Sequence, residues 1–286
     1  MGKLTWDGLQ KQSDEILSDG LFLLKSRPFL EFSDVTEKGF GNYLISFDKK
    51  PFYIGEAKDL QKRIKQQAKP TTSTFYKNFL KAIGTNQLKQ IDINSFKIQI
   101  ISTNIGRKEV EEFGIVNLPT ILNNFQLDKR RKNEIRNHNG LWKQVQSEFS
   151  NLLKQGETEL FKTTFKNWFD LTTTSNAGLY LVKDKSDKLI YIGESSNVGE
   201  RIATHSGRTY FSALRRHIGT EILGYKLKEI NKKKRYFDDA EDKNVTAFLK
   251  SCKVTTFPVN FGRYELEEYL IKKYKPLLNR KDNKNL

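Results

Sequence analysis

The sequence is poor in the residues that build several common kinds of protein. Its 286 residues include one cysteine, one methionine, three histidines and six prolines. A single cysteine, Cys252, excludes a disulfide framework within the chain, a zinc site built from cysteines and an iron–sulfur cluster. The longest apolar run, about Leu21–Leu24, is far too short for a membrane span, and the first residues lack a signal-peptide core. We therefore expect a soluble, cytoplasmic protein.

Acidic residues are scarce relative to basic ones. The 50 Lys and Arg residues against 34 Asp and Glu residues leave a formal net charge of +16. Basic residues cluster at Lys129–Lys132, at Lys232–Arg235 and in the tail Lys272–Lys284. Such runs are often only solvated surface, but phosphate neutralisation is the commonest use of an excess this large. We expect a nucleic acid as the partner; a membrane surface is the weaker alternative, since no basic amphipathic helix with a bulky apolar face stands out.

An internal repeat is the most informative pattern in the chain. Tyr53-Ile-Gly-Glu56 recurs as Tyr191-Ile-Gly-Glu194, and each follows a short apolar run and a polar turn. Five segments recur in the same order. The offset between equivalent residues grows from 135 at Gly219 to 156 at Asn260, which predicts an insertion of 21 residues between these two positions. The pattern predicts a tandem duplication.

The sequence pattern of each copy predicts the same order of strands and helices. Alternating apolar strands around a polar turn indicate a hairpin, and polar starts with one apolar face indicate helices. The predicted turns are Asp48–Pro51 and Asp184–Lys188, the predicted helices are Asp59–Gln67, Asn197–His205, Val110–Val116 and Leu266–Tyr274, and the predicted third strands are Phe96–Ile101 and Lys253–Phe257.

The same pattern divides the chain into four regions. We predict a helical lead-in over 1–36, a first domain over 37–127, a helical connector over 128–175 and a second domain over 176–286. The insertion falls at about 220–259. Apolar residues at helical spacing predict a helix in the connector, and these are Leu141, Val145, Phe149 and Leu152.

Repeated polar residues suit phosphodiester cleavage. A carboxylate can hold a metal ion, an arginine can clamp phosphoryl oxygens, and a phenol can act as a general base if nearby cations lower its pKa. Each residue alone could be structural: tyrosine packs in strands, glutamate lies on helix surfaces, and asparagine caps helices. The repeated glycines are expected to serve backbone geometry at the hairpin. The repeated set is Tyr43, Tyr53, Arg63, Glu111 and Asn123 in the first copy and Tyr180, Tyr191, Arg201, Glu267 and Asn279 in the second.

One further residue of the second copy is a candidate. His205 lies four residues after Arg201, so both share one face of the predicted helix, and His205 could accept or relay a phenolic proton. Gln67 stands at the equivalent position of the first copy, and glutamine cannot exchange a proton.

Together these residues resemble the GIY-YIG nuclease superfamily. The resemblance rests on Gly178-Leu-Tyr180, Tyr191-Ile-Gly193, Arg201, Glu267 and Asn279 over residues 176–280, and on the matching residues of the first copy over about 39–124. It implies an α+β fold: two GIY-YIG-type domains, each a small antiparallel sheet flanked by helices, joined by a helical connector. It also implies hydrolysis of DNA with one divalent metal ion, Mg²⁺ or Mn²⁺.

The resemblance also implies a role for each residue. Tyr180 would be the general base, and Tyr191 would orient the water or stabilise charge. Arg201 would bind the scissile phosphate, Glu267 the metal, and Asn279 would brace the site. The matching residues, with Glu111 as the metal ligand, would act in the first copy. An Arg followed four residues later by His is similar to several restriction and homing members.

The first copy departs from the pattern in two places. Gln67 replaces the histidine, and Ala68–Ser73 lacks an equivalent of the His205–Arg208 run. Catalytic competence of the first copy therefore stays open.

Two nuclease-like copies in one basic chain predict an enzyme that cuts double-stranded DNA. Our first hypothesis is a type II restriction endonuclease of a restriction–modification system, acting as a monomer with two nuclease domains (an intramolecular pseudo-dimer) or as a homodimer. The alternatives are a homing or repair nuclease of the same superfamily and a non-catalytic DNA-binding protein.

Overall fold

The computed structural model describes residues 4–69, 72–84, 95–123, 132–172, 175–230 and 234–279. The chain divides into two compact units, a first unit over Met1–Leu152 and a second unit over Leu153–Leu286. Much of the three basic runs, namely residues 129–131, 232–233 and 280–284, lies outside the described residues.

The first unit is a three-stranded antiparallel sheet with helices against it. The strand order is β2-β1-β3. Its elements are α1 (Trp6–Lys11), α2 (Ser13–Lys25), β1 (Gly41–Phe47), β2 (Lys50–Ala57), α3 (Leu60–Gln67), α4 (Thr74–Gly84), β3 (Lys97–Ser102) and α5 (Arg107–Asn117).

Helix α6 (Leu141–Leu160) begins in the first unit and ends in the second. The second unit contains a four-stranded antiparallel sheet of order β4-β9-β5-β6 and a separate hairpin of β7 and β8. Its elements are β4 (Lys166–Asn167), β5 (Gly178–Lys183), β6 (Leu189–Ser195), α7 (Val198–Ser206), α8 (Ala213–His217) with a π-helical turn (Ile218–Ile222), β7 (Lys228–Ile230), β8 (Lys234–Tyr236), α9 (Asp239–Lys250), β9 (Lys253–Pro258) and α10 (Arg263–Tyr274).

Local chemistry explains the hairpin and the helix that follows it. Asp48 and Lys49 both have positive φ, 46° and 60°, as a two-residue turn between twisted antiparallel strands requires. The strand β2 already begins at Lys50, so the predicted turn of Asp48–Pro51 was two residues too long. Asp59 caps α3 by accepting a hydrogen bond from the Lys62 N–H, and Asn197 caps α7 in the same way.

The predicted elements are confirmed, with one correction of consequence. Both α5 and α10 begin three residues before the predicted starts at Val110 and Leu266. Each starts after a glycine in the left-handed conformation, Gly106 (φ 91°) or Gly262 (φ 83°), and not after a polar capping side chain. The earlier start puts Arg107 and Arg263 in the first helical turn.

The α+β class with small antiparallel sheets is confirmed. The segment of about 220–259 contains the hairpin of β7 and β8 and the whole of α9, which buries Val245 and Leu249 in the core of the second unit. Of the helices in the described part of the chain, none combines the length and the apolar composition that a membrane crossing needs.

Candidate active site

Two tyrosines on adjacent strands lie at the bottom of the candidate site in the second unit. Tyr180 on β5 is 2% exposed, and its ring centroid lies 5.9 Å from that of Tyr191 on β6. Gly193 stands opposite Tyr180 in the hairpin register. A Cβ atom at Gly193 would lie 2.4 Å from Cζ and Oη of Tyr180. The glycine therefore makes room for the tyrosine ring, whereas the sequence had suggested a role in backbone geometry.

His205 contacts the hydroxyl of Tyr180. The imidazole Nε2 lies 2.8 Å from Tyr180 Oη, and Nδ1 lies 2.6 Å from the Oγ of Ser212. Ser212 is itself fixed, because its Oγ accepts the backbone N–H of Arg215 and so caps α8. Tyr180, His205 and Ser212 therefore form a buried hydrogen-bonded chain, which we call the Tyr180 relay.

Burial sets the protonation states in this relay. Burial, reinforced by the positive charges of Arg201, Arg215 and Arg216, lowers the pKa of His205 to about 3. The imidazole is therefore neutral at physiological pH, with one donor and one acceptor nitrogen. Burial and the neighbouring Tyr191 raise the pKa of Tyr180 well above its usual value of 10.

The second tyrosine is also protonated. Burial, followed by the charge of Glu267, raises the pKa of Tyr191 to about 12. Arg201 acts in the opposite direction on both tyrosines but does not outweigh burial. The nearby cations of the protein therefore do not bring the pKa of these phenols below its usual value, contrary to the condition set out for a phenolic base.

Arg201 and Glu267 complete the cluster. Arg201 is exposed on α7, one turn before His205, and Glu267 is half-buried on α10. The charges of both residues act on Tyr180 and on Tyr191, so the four side chains lie in one neighbourhood. An arginine and a carboxylate beside two phenols can receive a phosphate group together with a cation.

Asn279 ties the chain after α10 to strand β6. Its Oδ1 accepts the Ile192 N–H at 2.9 Å, and its Nδ2 donates to the Ile192 carbonyl at 2.7 Å. The side chain thus pairs with β6 as a strand would, five residues after α10 ends at Tyr274. The alternative that Asn279 merely caps this helix is wrong.

An ion pair that was not expected from the sequence connects two elements of the site. Arg263, 2% exposed in the first turn of α10, donates from Nε to Glu194 Oε2 at 2.8 Å. Both residues lie inside repeated segments, Tyr191-Ile-Gly-Glu194 and Gly262-Arg263, so the repeat contained the signal. The pair joins α10, which carries Glu267, to strand β6, which carries Tyr191.

A second buried arginine holds the loop after His205. Arg215, completely buried, pairs with Asp242 of α9 at 2.9 Å and donates to Thr246 and to the His205 carbonyl. Helix α9 therefore stabilises the segment that fixes His205.

The first unit holds the equivalent tyrosine on a different partner. Gln67 Nε2 donates to Tyr43 Oη at 2.5 Å, and Gln67 Oε1 accepts from the Ser73 hydroxyl at 2.6 Å. Ser73 accepts the Tyr76 N–H at 2.8 Å, just as Ser212 caps its helix. The segment Ala68–Ser73 lacks the His205–Arg208 run, as the sequence indicated, but it does contain the counterpart of Ser212.

The remaining residues of the first unit also gather around Tyr43. The Tyr43 and Tyr53 rings lie 6.2 Å apart, and burial raises the pKa of both hydroxyls, while Arg63 acts in the opposite direction. Asn123 pairs with the Ile54 N–H and carbonyl at 2.9 and 2.8 Å. Arg107 Nη1 lies 3.6 Å from Glu56 Oε2.

Glu111 of the first unit has a cationic partner. Lys108 Nζ lies 2.8 Å from Glu111 Oε2. Burial raises the pKa of Glu111, and Lys108 partly opposes this. Tyr264 stands at the position of Lys108 in the second unit, one residue after the arginine that starts the helix.

The second unit has a carboxylate that suits Mg²⁺. Among the residues that the structure describes, no group of three or more His, Cys, Asp or Glu side chains could enclose a metal ion. Mg²⁺ usually keeps several waters and is held by one or two carboxylates together with substrate phosphates. Glu267, a half-buried carboxylate whose charge acts with that of Arg201 on Tyr180 and Tyr191, fits this mode of binding.

Comparison with known proteins identifies one family. Residues 160–286, just under half of the chain, match the model of the GIY-YIG catalytic domain. This range includes the whole Tyr180 relay, Arg201, Glu267 and Asn279. No curated protein and no solved structure matches the chain. The match supports the GIY-YIG superfamily, and with it a nuclease activity, for this part of the chain.

Proposed function

We propose that the protein is a metal-dependent endonuclease that hydrolyses phosphodiester bonds of double-stranded DNA at the Tyr180 relay. One observation carries the proposal: a neutral histidine, His205, lies in hydrogen-bond contact with a buried phenol beside an arginine and a carboxylate. The match of residues 160–286 to the GIY-YIG catalytic domain supports it.

The relay suggests how a protonated phenol acts as a base. Tyr180 takes a proton from the attacking water while its own proton passes to His205 Nε2, 2.8 Å away. The low pKa of His205 in the free protein opposes this transfer, and the negative charge of the bound phosphate, which offsets the neighbouring arginines, favours it. Ser212 accepts a hydrogen bond from the protonated Nδ1 and holds the imidazole in the tautomer that this step needs. No free phenolate forms, which agrees with the raised pKa of Tyr180.

Arg201 and Glu267 serve the phosphate. Arg201 binds two non-bridging oxygens of the scissile group, as its exposed guanidinium allows. Glu267 would hold a divalent cation, Mg²⁺ or Mn²⁺, which would supply the positive charge that stabilises the transition state. Tyr191 orients the water, and Asn279 keeps β6 in place through its bridge to Ile192.

We further propose that the first unit is a second copy of this domain and that the two act on one duplex as an intramolecular pseudo-dimer. Both units present two tyrosines from a hairpin, an asparagine that pairs with the second strand, and an arginine–glutamate pair under the last helix. Under this proposal the protein is a type II restriction endonuclease, in which the net charge of +16 serves binding to the DNA backbone.

Cleavage of supercoiled plasmid and phage DNA tests the activity. We expect cutting in Mg²⁺ and none in EDTA. Glu267→Ala should lower the rate by at least ~100-fold while DNA binding in Ca²⁺ persists at the affinity that the unmodified protein has in EDTA, because only the contribution of the metal is lost. Glu159→Ala is the matched control, since Glu159 is an exposed carboxylate paired with Lys162. Cutting by Glu267→Ala at the unmodified rate contradicts the assignment of the metal ligand. Binding without cutting of any DNA contradicts a nuclease and favours a DNA-binding protein.

A further inference from the structure

The carboxylate of the first unit that corresponds to Glu267 is in contact with a lysine. Glu111 and Lys108 lie one turn apart on α5, with Nζ 2.8 Å from Oε2. Their side chains are 11% and 22% exposed, so the pair is largely withdrawn from water. Solvent therefore screens it much less than a surface pair.

This lysine is incompatible with a divalent ion on Glu111. An ammonium group and a metal ion compete for the same carboxylate oxygens, and a metal ion that displaced Lys108 would lie a few ångströms from a confined positive charge. In the second unit Tyr264 replaces Lys108 and brings no charge to Glu267. The residues of the first unit thus do not fit the metal that the fold implies.

The charges of the first unit suit a phosphate without metal. The positive charge of Arg63 acts to lower the pKa of both Tyr43 and Tyr53. The negative charge of Glu56 acts to raise the pKa of Arg63 and of Glu111, and that of Glu111 acts to raise the pKa of Tyr53. At five equivalent positions the formal charges sum to +1 in the first unit and to zero in the second. These positions are Arg63, Arg107, Lys108, Glu56 and Glu111 against Arg201, Arg263, Tyr264, Glu194 and Glu267.

The partner of Tyr43 also removes the route for the proton. Gln67 donates to Tyr43 and is fixed by Ser73 at its other end. An amide accepts no proton at neutral pH. The first unit therefore has a hydrogen bond like that of the Tyr180 relay but has no side chain that could accept the phenolic proton.

We infer that the first unit holds a metal-independent binding site for a phosphodiester group of DNA, in which the Lys108 ammonium takes the place of a divalent cation. The inference rests on the proposed function of the second unit. The pseudo-dimer proposed above then has one binding unit and one cutting unit, and cutting of both strands requires two binding events or two molecules.

The affinity for a fluorescein-labelled duplex, measured by anisotropy in EDTA and in Ca²⁺, tests the inference without any cleavage. Glu267→Ala should abolish the strengthening of binding by Ca²⁺, whereas Glu111→Gln should leave it as in the unmodified protein. Lys108→Tyr installs the residue of the second unit. It should weaken binding in EDTA, reduce the slope of log K against log salt by about 1, and increase the strengthening by Ca²⁺ several-fold.

Two further variants make this result specific. The double variant Lys108→Tyr with Glu111→Gln should lose the added Ca²⁺ dependence, since no carboxylate is left to bind the ion. Lys162→Tyr removes a lysine from an exposed pair of the same spacing, with Glu159, and should leave the salt slope and the Ca²⁺ effect unchanged.

The outcomes separate the two proposals. Loss of the Ca²⁺ effect in Glu111→Gln, or unchanged binding in EDTA by Lys108→Tyr, overturns the inference while the nuclease assignment stands. A Ca²⁺ effect that survives Glu267→Ala contradicts the proposed metal site of the second unit. Failure of the unmodified protein to bind any duplex overturns both.

Discussion

The rings of Tyr43 and Tyr180 are packed in the same way, but their hydroxyl groups have different hydrogen-bond partners. Each ring lies over a glycine of the neighbouring strand, Gly55 or Gly193, where a Cβ atom would come within 2.4 Å of the phenol. Beyond the hydroxyl, the first unit has an amide and the second an imidazole.

The difference teaches that a hydrogen bond and a proton route are separate requirements. A buried phenol needs a partner, and leaving it without one is costly. Gln67 meets that need, and Ser73 meets the need of Gln67 in turn. The arrangement therefore persists where the partner cannot titrate, so a retained hydrogen bond is no evidence of catalysis.

Exchanging the partner of Tyr180 gives the largest effect. His205→Gln should lower the rate of plasmid cleavage by at least ~100-fold, because glutamine keeps the hydrogen bond but takes no proton. The fold should persist, since Gln67 occupies this environment in the first unit. The measurement is the initial rate in Mg²⁺ together with the thermal unfolding midpoint. His217→Gln on α8 is the control, and an unchanged rate in His205→Gln would show that the relay is dispensable.

Removing the carboxylate that pairs with the first arginine of α5 or of α10 compares how much each ion pair stabilises its unit. Glu194→Ala takes the partner from the buried Arg263 and should lower the free energy of unfolding by about 3 kcal/mol. Glu56→Ala should cost only about 1 kcal/mol, because Arg107 lies 3.6 Å away and also stacks over the Phe40 ring at 4.4 Å. Urea denaturation measures both. Glu229→Ala breaks an exposed pair with Arg235 and is the control. Equal losses at Glu194 and Glu56 would mean that the two pairs are equivalent.

The smallest effect is a pH dependence of the free energy of unfolding that His205 confers on the second unit and that Gln67 does not confer on the first. Folding lowers the pKa of His205 from 6.5 to about 3, so the unfolded chain binds the proton more readily. The stabilisation is complete above pH 6.5 and is lost as the pH falls towards 3. Between pH 6.5 and 5.5 the loss should be about 1 kcal/mol.

Urea denaturation at these two pH values measures the loss, and His205→Gln should reduce it because glutamine does not titrate. Identical pH profiles for the two proteins would contradict the lowered pKa of His205.

Much of the architecture follows from local patterns, and much of the site does not. Apolar alternation and helical spacing located the strands and helices, because these patterns reflect one buried face. The starts of α5 and α10 were missed because Gly106 and Gly262 replace the usual capping side chains. The repeat indicated the tyrosines, Arg201 and Glu267 because their spacing is kept in both copies.

The residues that tertiary packing selects could not be found in this way. Ser73 and Ser212 lie at different distances from their partners in sequence and meet them only through the loop that follows. The role of Lys108 depends on its burial beside Glu111, which the sequence alone does not show. The glycines of the repeat indicated a backbone role, whereas the three-dimensional reason is the volume of a tyrosine ring.

The bridge from Asn279 to Ile192 has a consequence for synthesis. Strand β6 gains this hydrogen bonding only when the chain has been made as far as residue 279, nearly a hundred residues after Tyr180. The corresponding bridge of the first unit, Asn123 to Ile54, is complete much earlier. Since domains fold as units from the N-terminus during translation, the first unit can be completed on the ribosome before the second unit, which contains the Tyr180 relay.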